Sequence, residues 1–325
     1  SGGVPSHDTF RRVLGLVDPK HFGNVFRLWT EAVWKRVEED HVALDGKALR
    51  GSVDGLGSVQ YIVNAWSAKR HLVLGQVKVQ DKSNEITAIP RLLPTLDIRG
   101  ALVSIDAIGC QTDIAGQIRS QGGHYLLALK DNNPRVRQEM ESFLLDAIAH
   151  GEAHVERFET VGKEHGRLER RVCHVSRRLG WFADRKKWKD LRCVVMVEAT
   201  RTAKGVTGRP ERRLYLCSKA LTAQEALEAT RAHWGVESLH WVLDMVLEED
   251  RSRARDKNAA QNLALIRRMV YNVLRAERDA QATEKKVPRL KQLMRRAACK
   301  DEVRTRMMRV FGELRTADAR TSQEK

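Results

Sequence analysis

Ala101-Leu-Val-Ser-Ile-Asp106 is a short apolar run that ends in a carboxylate, and His41-Val-Ala-Leu-Asp45 has the same form. Such runs are typical of buried strands. Reactive groups in an open sheet collect beyond the strand ends, so we expect Asp45 and Asp106 to lie side by side. Two neighbouring carboxylates repel each other unless a cation joins them, and Mg²⁺ or Mn²⁺ prefers oxygen ligands. The pair therefore indicates a divalent-metal site, whereas either aspartate alone would indicate only a solvated strand end.

The residues around these two runs alternate between strand-like and helix-like patterns. After the first run come two strands, a helix, the second run, another helix and another strand, at 61–66, 72–79, 84–93, 101–106, 112–121 and 125–129. The predicted order for residues 41–130 is therefore β-β-β-α-β-α-β, with a further helix after residue 220. This order indicates an α/β fold with a mixed sheet.

Composition divides the chain into five regions. Residues 131–220 are rich in alternating patterns, which predict a strand-rich insertion separate from the central sheet. The C-terminal residues are polar and basic, with Pro288 opening a last helix. The predicted regions are an N-terminal helical region, the first part of the core, the insertion, the second part of the core and a basic tail, at residues 1–40, 41–130, 131–220, 221–280 and 281–325.

A third group of acids is predicted on one long helix from Glu225 to about Glu248. Glu237, Asp244 and Glu248 lie seven and four residues apart, so they share one helical face. The helix has an adjoining apolar stripe that would dock it, formed by Val236, Leu239, Leu243 and Val246. Glu237 is therefore the candidate third metal ligand, with Asp244 and Glu248 as possible auxiliary acids. The alternative is an acidic face that is simply solvated.

The charge of the chain is segregated. The formal net charge is +16, and residues 251–325 alone carry 21 Lys and Arg against 9 Asp and Glu. Residues 131–220 carry 20 against 13, while the remainder is slightly acidic. Basic regions of this kind favour a polyanion such as DNA as partner. The five scattered cysteines and the lack of a long apolar run favour a cytoplasmic protein without disulfides, structural zinc or a membrane span.

Several segments carry a resemblance to a known family. Three contain the candidate acids: Leu44-Asp45-Gly46-Lys47-x-x-Arg50-Gly51, Ser104-Ile105-Asp106-Ala107-x-Gly109-Cys110-Gln111 and His233-Trp234-x-Val236-Glu237-x-Leu239-His240-Trp241-x-Leu243-Asp244. Others are Pro5-Ser6-His7-Asp8-Thr9-Phe10-Arg11-Arg12, Leu129-Lys130-Asp131-Asn132, His165-Gly166-Arg167-x-Glu169 and Glu249-Asp250-x-Ser252-Arg253-x-Arg255. In this order, they resemble the ISAs-type, or H-repeat-associated, insertion-sequence transposases. The resemblance covers residues 5–275.

The resemblance implies a DDE transposase with an RNase H-like core. Its catalytic and metal-binding acids would be Asp45, Asp106 and Glu237, holding two Mg²⁺ or Mn²⁺ ions, with Asp45 bridging both. It would cleave DNA at transposon ends and transfer the freed 3′-hydroxyl to target DNA, working as a homodimer near the bacterial nucleoid. An inserted β region before the last catalytic helix would contact DNA, where Trp181 and Trp188 would stack on a base or pack in the core. The sequence contains no phosphate-binding Gly-x-x-x-x-Gly-Lys-Ser/Thr segment, so no nucleotide cofactor is expected.

The chain departs from the wider superfamily on the helix of the third acid. Places that many relatives fill with Tyr, Arg and Lys hold Thr230, His233 and Asp244. A protonated His233 would still contact a phosphate, whereas Asp244 would repel it. The candidate DNA contacts are therefore Lys47, Arg50, Lys130, His165, Arg167, Arg231, His233, Arg253 and Arg255.

Other readings remain open from the sequence. A domesticated nuclease or a non-catalytic DNA-binding relic would share the fold, although the three intact acids argue against a relic. A zinc enzyme would use the histidines. His150 and His154 lie four residues apart, but the residues between them do not complete a His-Glu-x-x-His motif.

Overall fold

The computed structural model describes residues 3, 5–33, 39–53, 59–79, 85–164, 167–203, 205–283 and 287–309. In chain order the strands are β1 (His41–Val53), β2 (Val59–Ser67), β3 (Leu72–Lys78), β4 (Leu102–Ile105), β5 (His124–Leu129), β6 (Val155–Glu164), β7 (Arg167–Ser176), β8 (Cys193–Ala203), β9 (Val206–Thr207) and β10 (Glu211–Cys217). The helices are α1 (His7–Leu16), α2 (Pro19–Val33), α3 (Glu85–Leu92), α4 (Thr112–Ser120), α5 (Pro134–Ala149), α6 (Ala223–His233), α7 (Gly235–Met245), α8 (Lys257–Ala280) and α9 (Leu290–Cys299). In the described parts of the chain, every helix is too short or too polar to cross a bilayer.

The chain divides into two compact units. The first unit comprises Ser1–Val37, Gly46–Asn84 and Val236–Lys325, and the second comprises Glu38–Asp45 and Glu85–Gly235. Strand β1 therefore begins in the second unit and ends in the first.

A mixed sheet forms the centre of the second unit. The start of β1 pairs in parallel with β4, and β4 pairs in parallel with β5. On the far side of β5 the strands β10, β8, β7 and β6 follow, each antiparallel to its neighbour. Helix α6 packs on this sheet through Ala226 and Leu227, which are buried against Val175, Val195 and Tyr215. The α/β class and the order β-β-β-α-β-α-β for residues 41–130 are confirmed.

The strands of residues 131–220 are not separate from the sheet, contrary to expectation. Strand β10 pairs with β5 over Leu214↔Leu129 to Cys217↔Leu126, so it continues the sheet that contains β4. Alternation predicted the strands correctly, because the period of two reports which residues are buried. Alternation does not report which strands pair with each other. The prediction that these strands are separate from the central sheet was therefore wrong.

Helix α8 organises the first unit. It packs against α1, α2, β3 and α9. Three polar side chains on its buried face have specific partners. Asn262 donates to the Leu14 and Val17 carbonyls at 2.8 and 2.9 Å, and Asn272 both accepts from and donates to the backbone of Val73. The third, Arg268, belongs to an ion-pair network described below.

The predicted helix from Glu225 to about Glu248 is two helices. Helix α6 ends at His233 and α7 begins at Gly235, with Trp234 as the cap between them. Helix α7 then ends at Met245, and Glu248 has a left-handed backbone with φ 51°. The expected placement of Glu248 on the helical face of Glu237 is therefore wrong.

Candidate active site

Asp45 and Asp106 follow neighbouring strand positions in the second unit. The last paired residues of β1 and β4 are Leu44 and Ile105, which are in register with each other. The next residue on each strand is the aspartate, and both aspartates are half-buried. Because the two strands are parallel and in register here, Asp45 and Asp106 occupy adjacent backbone positions, although β1 continues past Asp45 to Val53. This register agrees with the expected neighbourhood of the two aspartates, and the metal site itself stays a prediction.

The backbone that follows Asp106 is held tightly. Asp106 Oδ1 accepts a hydrogen bond from the Ile108 amide at 3.1 Å and so caps a 3-10 turn at Ala107–Gly109. A Cβ on Gly109 would lie 2.3 Å from Ile105 Cγ2, so this position has room only for glycine. Two neighbouring side chains also brace the turn: Asn132 donates to the Ala107 carbonyl, and Asn133 donates to the Cys110 carbonyl at 3.0 Å. These contacts fix the direction in which Asp106 leaves its strand.

Glu85 is a further acid beside Asp106 that sequence reasoning missed. It opens α3 and is half-buried. Burial and, to a smaller extent, the negative charge of Asp106 together raise the pKa of its carboxyl to about 7. The Coulombic contribution places Glu85 near Asp106. Its only signal in the sequence was its position at the start of a helix, which many acids share.

The chemistry of these two acids fits a hard divalent cation. Asp45 and Asp106 offer carboxylate oxygens, which Mg²⁺ and Mn²⁺ prefer, and Glu85 lies near Asp106. Within the described ranges, no group of three or more His, Cys, Asp or Glu side chains is placed to hold a metal ion. The two aspartates are thus part of the ligand set that the resemblance implies, and Glu237 enters it on the resemblance alone.

A buried hydrogen-bonded chain lies behind the two strands. His41 Nε2 is 2.6 Å from Ser104 Oγ, and Ser104 Oγ is 2.8 Å from His233 Nδ1. Burial lowers the pKa of His41 to about 3, aided by His233. Burial also lowers the pKa of His233 to about 4, aided by Lys130. Both rings are therefore neutral at pH 7. The expected phosphate contact of a protonated His233 does not fit this placement.

Glu237 lies in the first unit on α7 and is exposed. The predicted docking stripe of this segment is confirmed, because Val236, Leu239, Leu243 and Val246 are all buried. The opposite face therefore presents Glu237 to solvent.

Lys47 is at the centre of a buried ion-pair network in the same unit. Its Nζ lies 2.8 Å from Asp244, 3.7 Å from Glu249 and 3.5 Å from Asp250. Glu249 also pairs with Arg268, which is fully buried and donates to Asn64 Oδ1 at 2.8 Å. These residues (Lys47, Asp244, Glu249, Asp250 and Arg268) are called the Lys47 network below. Lys47 is only 7% exposed, so its ammonium binds carboxylates of the chain instead of facing solvent.

The same contacts explain two of the sequence motifs. The Arg50 amide donates to Asp250 Oδ1 at 3.3 Å. A Cβ on Gly51 would lie 2.2 Å from the Asp250 carbonyl oxygen and 2.4 Å from that of Ser252. The motif that begins at Leu44 and the one that begins at Glu249 are thus two sides of one packed contact.

The remaining candidate DNA contacts lie mostly at the surface. Lys130 and Arg231 are exposed in the second unit. Arg253 and Arg255 are exposed in the first unit, where they line a cavity of about 920 Å³ together with Arg11 and Arg12 of α1. His165 lies outside the described residues, and so does the side chain of Arg167, which begins β7.

The two tryptophans of residues 131–220 pack against other side chains of the chain. Trp188 is 4% exposed and belongs to the core. Trp181 stacks on Phe143 with a centroid separation of 4.2 Å. Packing, the second of the two roles expected for them, is therefore the one that the structure shows.

Comparisons with known proteins identify the family of the chain. The family model of the transposase DDE domain matches residues 38–273. "Putative transposase YncI" of Escherichia coli O157:H7 is 39% identical over 289 residues, which cover 85% of this chain and 72% of the relative. "H repeat-associated putative transposase YhhI" of Escherichia coli (strain K12) is 38% identical over 307 residues, or 91% of this chain and 78% of the relative. The chain therefore belongs to the H-repeat-associated family of DDE transposases.

Proposed function

We propose that this chain cleaves DNA at the ends of a mobile element and joins the freed ends to target DNA. Its acids are Asp45, Asp106 and Glu237, in a core of the RNase H-like type. The observation that carries the proposal is the placement of Asp45 and Asp106 directly after paired residues of neighbouring parallel strands. Family membership supports the same function, because the matching domain is a transposase DDE domain.

The three acids would hold Mg²⁺ or Mn²⁺. When bound, a pair of such ions activates the attacking water or 3′-hydroxyl and stabilises the leaving oxygen of the phosphodiester. The chain contributes the fixed direction of Asp106, which follows from the turn at Ala107–Gly109 and its braces from Asn132 and Asn133. A ligand held in this way loses little conformational freedom when a cation binds.

DNA would be held by exposed basic side chains. Lys130 and Arg231 of the second unit, and Arg253 and Arg255 of the first, are exposed to phosphates, whereas Lys47 is buried among carboxylates. Phosphate contacts of this kind position DNA without reading its sequence. Transposases of this type bring two DNA ends together, so we propose a homodimer on DNA.

The proposal is tested by cleavage of a labelled duplex that carries the element's own end. Wild type is compared with Asp106→Asn, which keeps the shape of the side chain and removes its charge, and with Asp146→Asn as control. Asp146 is on α5, with a side chain that is 77% exposed. We expect Mg²⁺- or Mn²⁺-dependent cleavage by wild type and by Asp146→Asn. Asp106→Asn should lose at least about a hundred-fold in rate while still binding the duplex, since it loses a charged metal ligand.

The outcomes separate the alternatives. Cleavage that survives in Asp106→Asn would contradict the assignment of the acids. Binding without cleavage by every variant, with either metal, would point to a non-catalytic DNA-binding relic. Cleavage without joining to target DNA would point to a domesticated nuclease.

A further inference from the structure

A second cavity lies within the first unit. It has a volume of about 530 Å³ and is lined by the end of β2, the turn before β3, helices α7 and α8, and the start of α9 with the residues before it. A cavity of this size suits a small ligand or one unit of a polymer. It shares no residue with the acids discussed above.

Aromatic rings form one wall of this cavity. Trp66 and Tyr271 are 2% and 3% exposed, so they are rigid parts of the core. Trp241 is 61% exposed, an unusual degree for the largest apolar side chain. His71 adds a fourth ring, 5.4 Å from Trp66 between centroids. A wall of this kind offers flat faces on which another ring can stack.

Cationic side chains form the other wall. Arg275 is 9% exposed, and its buried Nε has no hydrogen-bond partner, which also holds for the Nε of Arg278. A buried donor without an acceptor costs free energy, so the two guanidinium groups are not saturated by contacts within the described residues. None of the described residues that line the cavity is an Asp or Glu. The surrounding charge also reaches His71, whose pKa is lowered first by burial and then by Arg275.

The start of α9 adds backbone donors to the same wall. Arg289, Leu290 and Lys291 line the cavity, and the cap residue Arg289 makes no side-chain capping hydrogen bond. The first amide groups of a helix have no acceptor inside the helix, and the helix dipole favours an anion there. The guanidinium of Arg275 has only a long ion pair with Asp279, at 4.0 Å. This terminus and that guanidinium therefore favour the same kind of group, a multivalent oxyanion.

We propose that this cavity binds a nucleotide, with its phosphate at the start of α9 and beside Arg275, and its base against Trp241. Phosphate suits guanidinium groups and a helix N-terminus, and a base suits an exposed indole face. The nucleotide is either a free one or an unpaired nucleotide of a DNA strand. The inference does not depend on metal-dependent cleavage, because none of its residues is one of the three acids.

The test is calorimetric titration of the full chain without metal. The probes are deoxyadenosine monophosphate, deoxyadenosine, inorganic phosphate, a short duplex with one unpaired adenosine and the same duplex fully paired. The variants are Trp241→Leu and Lys291→Ala, both at exposed positions that line the cavity. The control is Arg295→Ala, an exposed position of α9 that does not line it.

We expect the monophosphate to bind more tightly than deoxyadenosine or phosphate. Trp241→Leu and Lys291→Ala should each weaken it by about ten-fold, since losing one stacking partner or one phosphate contact has an effect of this size. Arg295→Ala should bind as wild type does. If the duplex with the unpaired adenosine displaces the monophosphate better than the paired duplex, the source is a DNA strand. If neither duplex displaces it, the source is a free nucleotide.

Three results would overturn the inference. The first is no saturable binding of either the monophosphate or the unpaired adenosine. The second is equal binding by wild type, Trp241→Leu and Lys291→Ala. The third is phosphate alone binding as tightly as the monophosphate, which would make the cavity a plain anion site. A protein that cleaves DNA but fails this test would overturn this inference alone, and one that passes but does not cleave would overturn only the proposed function.

Discussion

At the scale of the residue, burial decides what a charged side chain does. Lys47 looks like a phosphate ligand in the sequence because it follows Asp45 by two positions. In the structure its ammonium is buried and paired with Asp244 at 2.8 Å. A buried ammonium surrounded by carboxylates already has its counter-charges, and moving it to a phosphate would leave them unpaired. Lys47 is therefore a structural residue of the first unit.

Replacing Lys47 by Met should lower the free energy of unfolding by about 3 kcal/mol, because Asp244 and Asp250 would lose their buried partner. The measurement is urea unfolding at pH 7. Lys20→Met, at an exposed position of α2, should change stability by no more than about 0.5 kcal/mol. Adding Asp244→Asn to Lys47→Met should restore part of the loss. Equal stabilities of wild type and Lys47→Met would show that the Lys47 network does not stabilise the unit.

At the scale of the element, turns and helix ends determine where the candidate functional groups lie. The turn after β4 directs Asp106, the break at Trp234 separates α6 from α7, and the start of α9 faces a cavity. Each depends on backbone geometry at one or two residues. Gly109 shows this most clearly, since its missing side chain leaves space that Ile105 and Ile89 fill.

The glycines of this region should respond to alanine in opposite directions. Gly109→Ala places a methyl group 2.3 Å from Ile105 Cγ2, so it should destabilise the chain by about 1–3 kcal/mol and slow cleavage by moving Asp106. Gly116 is in α4, and a Cβ there meets nothing within 4 Å. Gly116→Ala should therefore stabilise by about 0.5–1 kcal/mol. Urea unfolding of both variants checks the signs, and a shared sign would contradict this account of the turn.

At the scale of the whole molecule, the chain combines an excess of positive charge with buried neutral histidines. Residues 251–325 carry 21 Lys and Arg against 9 Asp and Glu, so DNA affinity should fall steeply with salt. His41 and His233 affect the pH dependence of stability. Their pKa values are lowered by burial in the folded chain, to about 3 and about 4. The unfolded chain therefore binds more protons than the folded chain below pH 6.5.

Stability should consequently be lost as the pH falls from about 6.5 towards 4. Between pH 7 and pH 5, each of these two histidines should remove about 2 kcal/mol from the free energy of unfolding. Urea unfolding at the two pH values measures the loss. His233→Gln should reduce it by about 2 kcal/mol, whereas His21→Gln, at a side chain 84% exposed, should leave it unchanged. The same loss in wild type and His233→Gln would mean that His233 is not the group that titrates.

The sequence predicted the parts of this molecule that depend on local pattern. The strand before Asp106 and the start of the strand that contains Asp45 were found because apolar runs bounded by polar residues report burial. The partners of Lys47, Asn262 and Asn272 were not predicted, because local sequence pattern carries no information on contacts between residues so distant in the chain. Glu85 was not identified as a site residue for the same reason. Its distinguishing feature is its proximity to Asp106, which only the fold provides.

The position of β10 beside β5 has a consequence for evolution. The chain leaves the sheet at Leu129 and is again next to that residue at Leu214. An excursion whose ends meet can gain or lose residues with little effect on the strands it joins, since the entropy of closing a loop grows only with the logarithm of its length. We therefore expect length differences among relatives to fall in the turns between Leu129 and Leu214, since the strands of this excursion pair within the sheet. Pairing between the strand that departs and the strand that returns is the better mark of common descent.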